Sequence, residues 1–180
     1  MKTINISLNA EGKKQFQDSL SRLNSEGIIS RIWKHDHTVW KEDPTEISNR
    51  LGWLHCYETM SSHLSEIESF VNEVRAAGYT HALLLGMGGS SLAPEIMRFI
   101  FGVKKGYLEL SVLDSTDPAA VLEKQQGLNP EKTLIVVSTK SGGTIETLSF
   151  MKYFYNVFLK TLGSENVGEH FVAITDPGSR

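Results

Sequence analysis

From residue 80 onward the chain alternates between short apolar runs and helix-like stretches, and no other feature of the sequence restricts the fold as strongly. The runs are His81-Ala82-Leu83-Leu84-Leu85, Leu110-Ser111-Val112-Leu113, Leu134 to Val137 and His170-Phe171-Val172-Ala173-Ile174. Each is short enough for a strand and is bounded by turn residues. Helical patterns lie between them, ending at Phe101-Gly102, at Gln126-Gly127 and near Leu162. Apolar strands separated by helices are βαβ units, which imply a parallel sheet with right-handed crossovers and both faces covered. The expected fold class is therefore α/β, a doubly wound parallel sheet. Residues 79–180 are expected to form this sheet domain, with 1–78 as a helical segment packed on it.

Two of the turns that leave these strands are rich in glycine and hydroxyl groups. Gly86-Met87-Gly88-Gly89-Ser90 follows the first strand, and Thr139-Lys140-Ser141-Gly142-Gly143-Thr144-Ile145-Glu146-Thr147 follows the third. A strand, a glycine-rich turn and a helix leave free backbone amides pointing at an incoming anion, for which phosphate is the natural candidate. The hydroxyls of Ser90, Thr139, Ser141, Thr144 and Thr147 add donors, and Lys140 offers either its charge or only its amide. Neither the Walker spacing G-x-x-x-x-G-K-[ST] nor the dinucleotide spacing G-x-G-x-x-G is present. Read alone, the second turn is equally a Ser/Thr/Gly turn that only caps its helix. Both turns fall at the carboxyl edge of the sheet, where ligands of such folds sit, and together they can surround one ligand.

Ahead of residue 80 the pattern is helical. Phe16, Leu20 and Leu23 share one face of a helix over about residues 10–25, read as a packing helix that Gly27 closes. Asp43-Pro44-Thr45-Glu46 predicts a helix start, with Asp43 as N-cap and Glu46 reaching back to it, and a short helix through Leu51. From about Trp53 a long helix is expected to reach Ala77, with Gly78 closing it. Its stripe of Met60, Leu64, Ile67, Val71 and Val74 faces either a core or a partner helix, and packing on the sheet is the preferred reading. His35-Asp36-His37 is read as a solvated loop, since no further ligands follow at zinc-like spacing.

Composition bounds what remains. A chain of 180 residues, 40% hydrophobic and 22% charged, suits one globular domain. The net charge of −3 gives no footprint for nucleic acid or an anionic membrane, so an anion site has to be local. The single cysteine, Cys56, cannot form an internal disulfide and suits a reducing compartment. Met1-Lys2-Thr3 opens no signal peptide and no apolar stretch approaches the ~20 residues of a membrane span, so a soluble cytoplasmic protein is expected.

At these residues the chain resembles the sugar isomerase (SIS) fold, and within it the first domain of the glucose-6-phosphate isomerases. Gly86 to Ser90 is similar to that family's G-x-G-G-S turn. Thr139 to Thr147 is similar to its S-K-T-x-T-T-x-E-T phosphate loop, with Thr139 in the serine position, and Asp176 follows a fourth strand as in the family. The likeness covers about residues 80 to 176. Two departures stand out: Gly142-Gly143 replaces a bulkier pair, and the segment before residue 80 is shorter than the helical lead-in of the long isomerases. Trp33 to Trp53 also resembles the compact isomerase domains fused behind transaldolase.

The resemblance implies a flavodoxin-like sheet that lacks its last strand here. It also implies aldose–ketose interconversion of a hexose phosphate through an enediol, with no cofactor and no metal. Its phosphate ligands would be Gly88, Gly89, Ser90, Thr139, Lys140, Ser141, Thr144 and Thr147. Glu146 matches the loop glutamate of the family and is either a low-ranking catalytic candidate or a first-turn carboxylate favoured by the helix dipole. The family draws its base, and its G-G-R motif, from sequence that would follow Arg180. Two readings therefore stay open: the sugar-phosphate-binding part of an isomerase, partnered by the rest of the polypeptide and by a second subunit in a homodimer, or a free-standing SIS module that binds without catalysis.

Overall fold

The computed structural model describes residues 7–179. Met1-Lys2-Thr3 and Arg180, both used in the sequence reading, lie outside the described residues. The chain divides into two compact units, Met1–Ser65 and Glu66–Arg180, with the boundary inside one long helix.

In the first unit, α1 (Ala10–Ser25) starts at Asn9, whose side chain accepts the Gly12 amide, and α2 (Ile28–Trp33) follows the left-handed Gly27. No residue of α1 is buried, and Phe16 is 54% exposed. A spacing of four and three reports that a helix is amphipathic, not what covers it. The helix expected to start at Asp43 is corrected. Asp43 accepts the Thr45 amide, but Glu46 has φ of 60°, and a 3₁₀ helix begins only at Ser48 and runs to His55. A left-handed residue cannot occupy the first turn of a right-handed helix, and the Glu46 carboxylate accepts from the Arg50 guanidinium. Leu51 and Leu54 of the 3₁₀ segment are buried. Asp36 accepts from the amide and hydroxyl of Thr38 and from Arg31, which accounts for the His35-Asp36-His37 loop.

The long helix α3 (Cys56–Ala76) begins three residues after Trp53, which belongs to the preceding 3₁₀ turn. Gly78 closes it, at φ of 90°. Of the stripe read as core-facing, only Val74 is buried; Met60, Leu64 and Ile67 are roughly half exposed.

The second unit holds a parallel sheet of four strands among the described residues, in the order β2-β1-β3-β4. The strands are β1 (His81–Gly86), β2 (Glu109–Leu113), β3 (Thr133–Ser138) and β4 (Phe171–Ile174). His170 lies in a 3₁₀ turn just ahead of β4, its ring buried and its Nδ1 3.1 Å from the Thr133 carbonyl. The connecting helices are α4 (Gly89–Phe101), α5 (Pro118–Gln126) and α6 (Ile145–Leu162). From β1 the chain steps one way to β2 and then back the other way to β3, so right-handed crossovers put α4 and α5 on opposite faces. This is the doubly wound fold that the apolar runs predict.

The core lies under α6. Phe150, Phe154 and Phe158, spaced by four residues, pack with Leu83, Leu85, Leu113, Ile135 and Val167. Burying one such ring contributes about 1.5–3 kcal/mol, so α6 and the registers of β1 and β3 are fixed together. Ile174, at the rim of the sheet, is 58% exposed.

Candidate anion site

The registers decide where the two glycine turns lie. Gly86 pairs with Ser138, the last residue of β1 with the last residue of β3, so both turns leave adjacent strands at the same edge. This is also where strand order switches, since β2 lies to one side of β1 and β3 to the other.

The first turn is shaped by its glycines. A Cβ on Gly86 would stand 3.1 Å from the Ser90 carbonyl oxygen, so with any side chain there the start of α4 would have to give by a few tenths of an ångström. Gly88 takes φ 54° and ψ −123°, a region that residues with a side chain avoid, and serves as N-cap of α4 without any side-chain bond to the helix. Ser90 is half-buried, with its amide bonded to the Met87 carbonyl at 3.1 Å.

In the second turn Thr139 is buried and donates its hydroxyl to Thr144 Oγ1 at 3.2 Å. Thr144 is the N-cap of α6, yet its side chain makes no bond to the helix amides. The amides of Ile145, Glu146 and Thr147 at the start of α6 therefore have neither intrahelical nor side-chain partners. Ser141 Oγ accepts the Gly143 amide at 3.3 Å, and Gly142 takes φ of 68°. The Lys140 side chain is exposed, and its carbonyl accepts the Asp176 amide at 3.1 Å. Glu146 is half-buried in the first turn of α6. Thr147 is fully buried, and its Oγ1 is a buried side-chain polar atom without a hydrogen-bond partner among the described residues.

A comparison within the same rim discriminates between an anion site and ordinary capping. Helix α5 also leaves the carboxyl edge of the sheet, and Asp117 caps it, accepting the Ala119 and Ala120 amides at 2.9 and 3.2 Å. Helices α4 and α6, which flank the switch point, begin without a side-chain cap, but in α4 the Ser90 and Ser91 amides are held by the Met87 and Gly88 carbonyls, which leaves Gly89 there and residues 145–147 in α6 as the open donors among the described residues. An open helix N-terminus carries partial positive charge and free donors.

Two residues at this rim carried no assignment from the sequence. Ser91, 1% exposed, has its Oγ 3.0 Å from the Gly88 carbonyl and 3.4 Å from Asp114 Oδ2. The sequence signal that could have found Asp114 is its place one residue beyond the apolar run of β2. An apolar groove of about 370 Å³ adjoins the second turn and is lined by Val137, Leu148, Met151, Tyr155, Phe171 and Ala173 with the hydroxyl-bearing Thr139 and Thr175.

Residues 55–178 match the model of the phosphoglucose isomerase family. The chain belongs to that family. Among curated relatives, glucose-6-phosphate isomerase of Carboxydothermus hydrogenoformans is 33% identical over 140 residues, covering 71% of this chain and 29% of the relative. The glucose-6-phosphate isomerase of Shewanella woodyi is 30% identical over 173 residues, covering 89% of this chain and 32% of the relative. The crystal structure of a glucose-6-phosphate isomerase from Chlamydia trachomatis superposes with a TM-score of 0.62 at 26% identity, over 84% of this chain and 27% of that one. A hypothetical protein from Thermus thermophilus gives 0.60 at 29% identity, over 91% of this chain and 37% of that one. This phosphoglucose isomerase family chain thus spans about a third or less of the curated relatives' length. The family match begins inside the first compact unit, earlier than the region that the two glycine turns alone identify.

Proposed function

We propose that this chain binds the phosphate of a hexose phosphate, as the first domain of an aldose–ketose isomerase acting between glucose 6-phosphate and fructose 6-phosphate through an enediol. The observation that carries the reading is the pair of uncapped helix N-termini at the β1/β3 switch point, beside an α5 that is capped. Gly88, Gly89 and Ser90 on one side, and Thr139, Lys140, Ser141, Thr144 and Thr147 on the other, are the proposed ligands. Thr147 takes part through its unpartnered hydroxyl, since leaving such a group buried costs about 1–3 kcal/mol and an arriving acceptor relieves that. Glu146 stays with the first turn of α6, where a carboxylate is favoured by the dipole.

In this reading the proton is moved between C1 and C2 by a base outside this chain, because proton abstraction needs a group within hydrogen-bond reach of the carbon acid. The partners are the remainder of the isomerase polypeptide and a second subunit, in a cytoplasmic setting. Residues 79–180 carry the ligand contacts in this reading.

Titration of the ¹⁵N-labelled chain with inorganic phosphate and then fructose 6-phosphate tests the proposal. A dissociation constant of roughly 0.1–10 mM is expected, or about 3–5 kcal/mol. Amide shifts should be confined to Gly89 and residues 145–147, since the Ser90 amide is held by the Met87 carbonyl. Equal shifts at Ala119 and Ala120, whose amides Asp117 already holds, would reduce the effect to non-specific anion binding.

A further inference from the structure

We infer that Asp114, acting through Ser91, is a positioning residue that holds the β1–α4 turn in its anion-binding shape; as a statement about ligand affinity this rests on the phosphate reading above. The register brings the two together. Leu85 pairs with Leu113, so the residue after β2 stands beside the residue that opens the glycine turn. The carboxylate that α5 needs for its cap is Asp117, which leaves Asp114 free of that role. Among the described residues the hydrogen-bond partner of the Asp114 side chain is the Ser91 hydroxyl.

Ser91 Oγ carries one proton and faces two acceptors, the Gly88 carbonyl at 3.0 Å and Asp114 Oδ2 at 3.4 Å. The Gly88 carbonyl already accepts the Ser91 amide at 3.1 Å and the Leu92 amide at 2.9 Å. A carbonyl has two lone pairs, so the hydroxyl is a third donor to it, whereas a carboxylate is the stronger, charge-assisted acceptor. With its proton given to Asp114, Ser91 ties the exit of β2 to the Gly88 peptide through its own amide, which donates to the Gly88 carbonyl at 3.1 Å, and the Gly88 φ of 54° and ψ of −123° set the direction of the following amides. A negative charge at the rim of an anion site opposes the ligand. Its presence there is accounted for by what it holds.

Four proteins of full length test this: the parent, Ser91→Ala, Asp114→Ala and Asp114→Asn. The first readout needs no ligand, namely hydrogen exchange at the Ser90, Ser91 and Leu92 amides, which bond to Met87 and Gly88 carbonyls. Ser91→Ala and Asp114→Ala should each raise exchange there by about tenfold, the size expected for one lost hydrogen bond of ordinary strength. Asp114→Asn, which keeps an acceptor oxygen, should restore protection to within about twofold of the parent. The second readout is the inorganic phosphate titration. Asp114→Ala should weaken binding by roughly tenfold, and Asp114→Asn should bind at least as tightly as the parent because the opposing charge is gone. Unchanged exchange in Asp114→Ala overturns the inference, as does an Asp114→Asn protein that exchanges as fast as Asp114→Ala. A parent that ignores phosphate while exchange responds as described removes the anion-site reading and leaves the positioning role standing. Should Ser91→Ala fail to fold, the exposed Asp114 pair decides the matter by itself.

Discussion

The Thr139 hydroxyl donates to the Thr144 hydroxyl at 3.2 Å, and this bond turns the N-cap residue of α6 away from the helix it would otherwise cap. A threonine at an N-cap ordinarily stabilises its helix by about 1 kcal/mol through the amides of the first turn. Here those amides are left open. Replacing Thr144 by Asp should therefore have two opposite effects. The carboxylate caps α6 and raises stability by about 1 kcal/mol, while phosphate binding is lost because the amides are occupied and the new carboxylate repels the anion. Thermal melting and the phosphate titration, run on the same sample, check both signs. Thr144→Ala should weaken phosphate binding by roughly tenfold with little change in melting, and His35→Ala should alter neither.

Thr147→Val makes a second test in which stability and binding diverge. Its hydroxyl is buried without a partner, and an isosteric methyl removes that penalty. The free chain should gain up to about 1 kcal/mol in urea unfolding. Phosphate affinity should fall, and a variant that gains stability with unaltered affinity would exclude Thr147 from the site.

Isomerisation is expected to be absent from this polypeptide alone. The rim groups are the proposed phosphate ligands, but among the described residues the acidic group in the second turn is Glu146, placed in the first turn of α6. A coupled assay on purified chain with fructose 6-phosphate should show no turnover above background. Activity that survives repurification would place a base within these residues.

Acid should loosen the Arg31–Thr38 turn selectively. Bonds from the Thr38 hydroxyl and amide and from Arg31 hold the Asp36 carboxyl down at about 2. A carboxylate whose pKa is depressed on folding stabilises the fold above its unfolded value near 4 and loses that contribution as pH falls through its folded value. The turn should therefore hold at pH 5 and release between about pH 4 and 2. Carboxyl ¹³C shifts across this range, with Asp36→Asn as the reference, report it.

Protection should also grade across the sheet. β3 is bonded on both sides, to β1 and β4, whereas β4 has β3 on one side, and Ile174 is 58% exposed. Amides of residues 171–174 should exchange faster than those of 134–137, and the chain should self-associate through this rim. A monomer with equal protection in both strands would count against the edge argument.

The strands were legible because each is an apolar run bounded by turn residues, and burial selects such runs directly. The Asp117 cap was legible from Asp-Pro alone, since aspartate before proline meets both the cap and the first helical position. The six-residue α2 was not, because fewer than two turns carry no period. Nor was the left-handed Glu46, which turned a good helix-start signature into a bend. At the site, the residue types were readable from the two turns, but not the bond between Thr139 and Thr144 or the link from Ser91 to Asp114. The first depends on the local conformation of a glycine turn and the second on which strands become neighbours, and a linear pattern contains neither.

Thr139 donates its amide to the Ile174 carbonyl, and the Lys140 carbonyl receives the amide of Asp176, so the second turn is tied by one backbone bond to β4 and by another to the segment just after it. Its stiffness is thus borrowed from β4. Any strand that settles along the open side of β4 would damp the motion of Ile174 and, through the Thr139 bond, of the loop that carries the proposed anion ligands. Ligand affinity then becomes a gauge of how complete the sheet is, weakest while β4 is its margin and strongest once β4 lies inside.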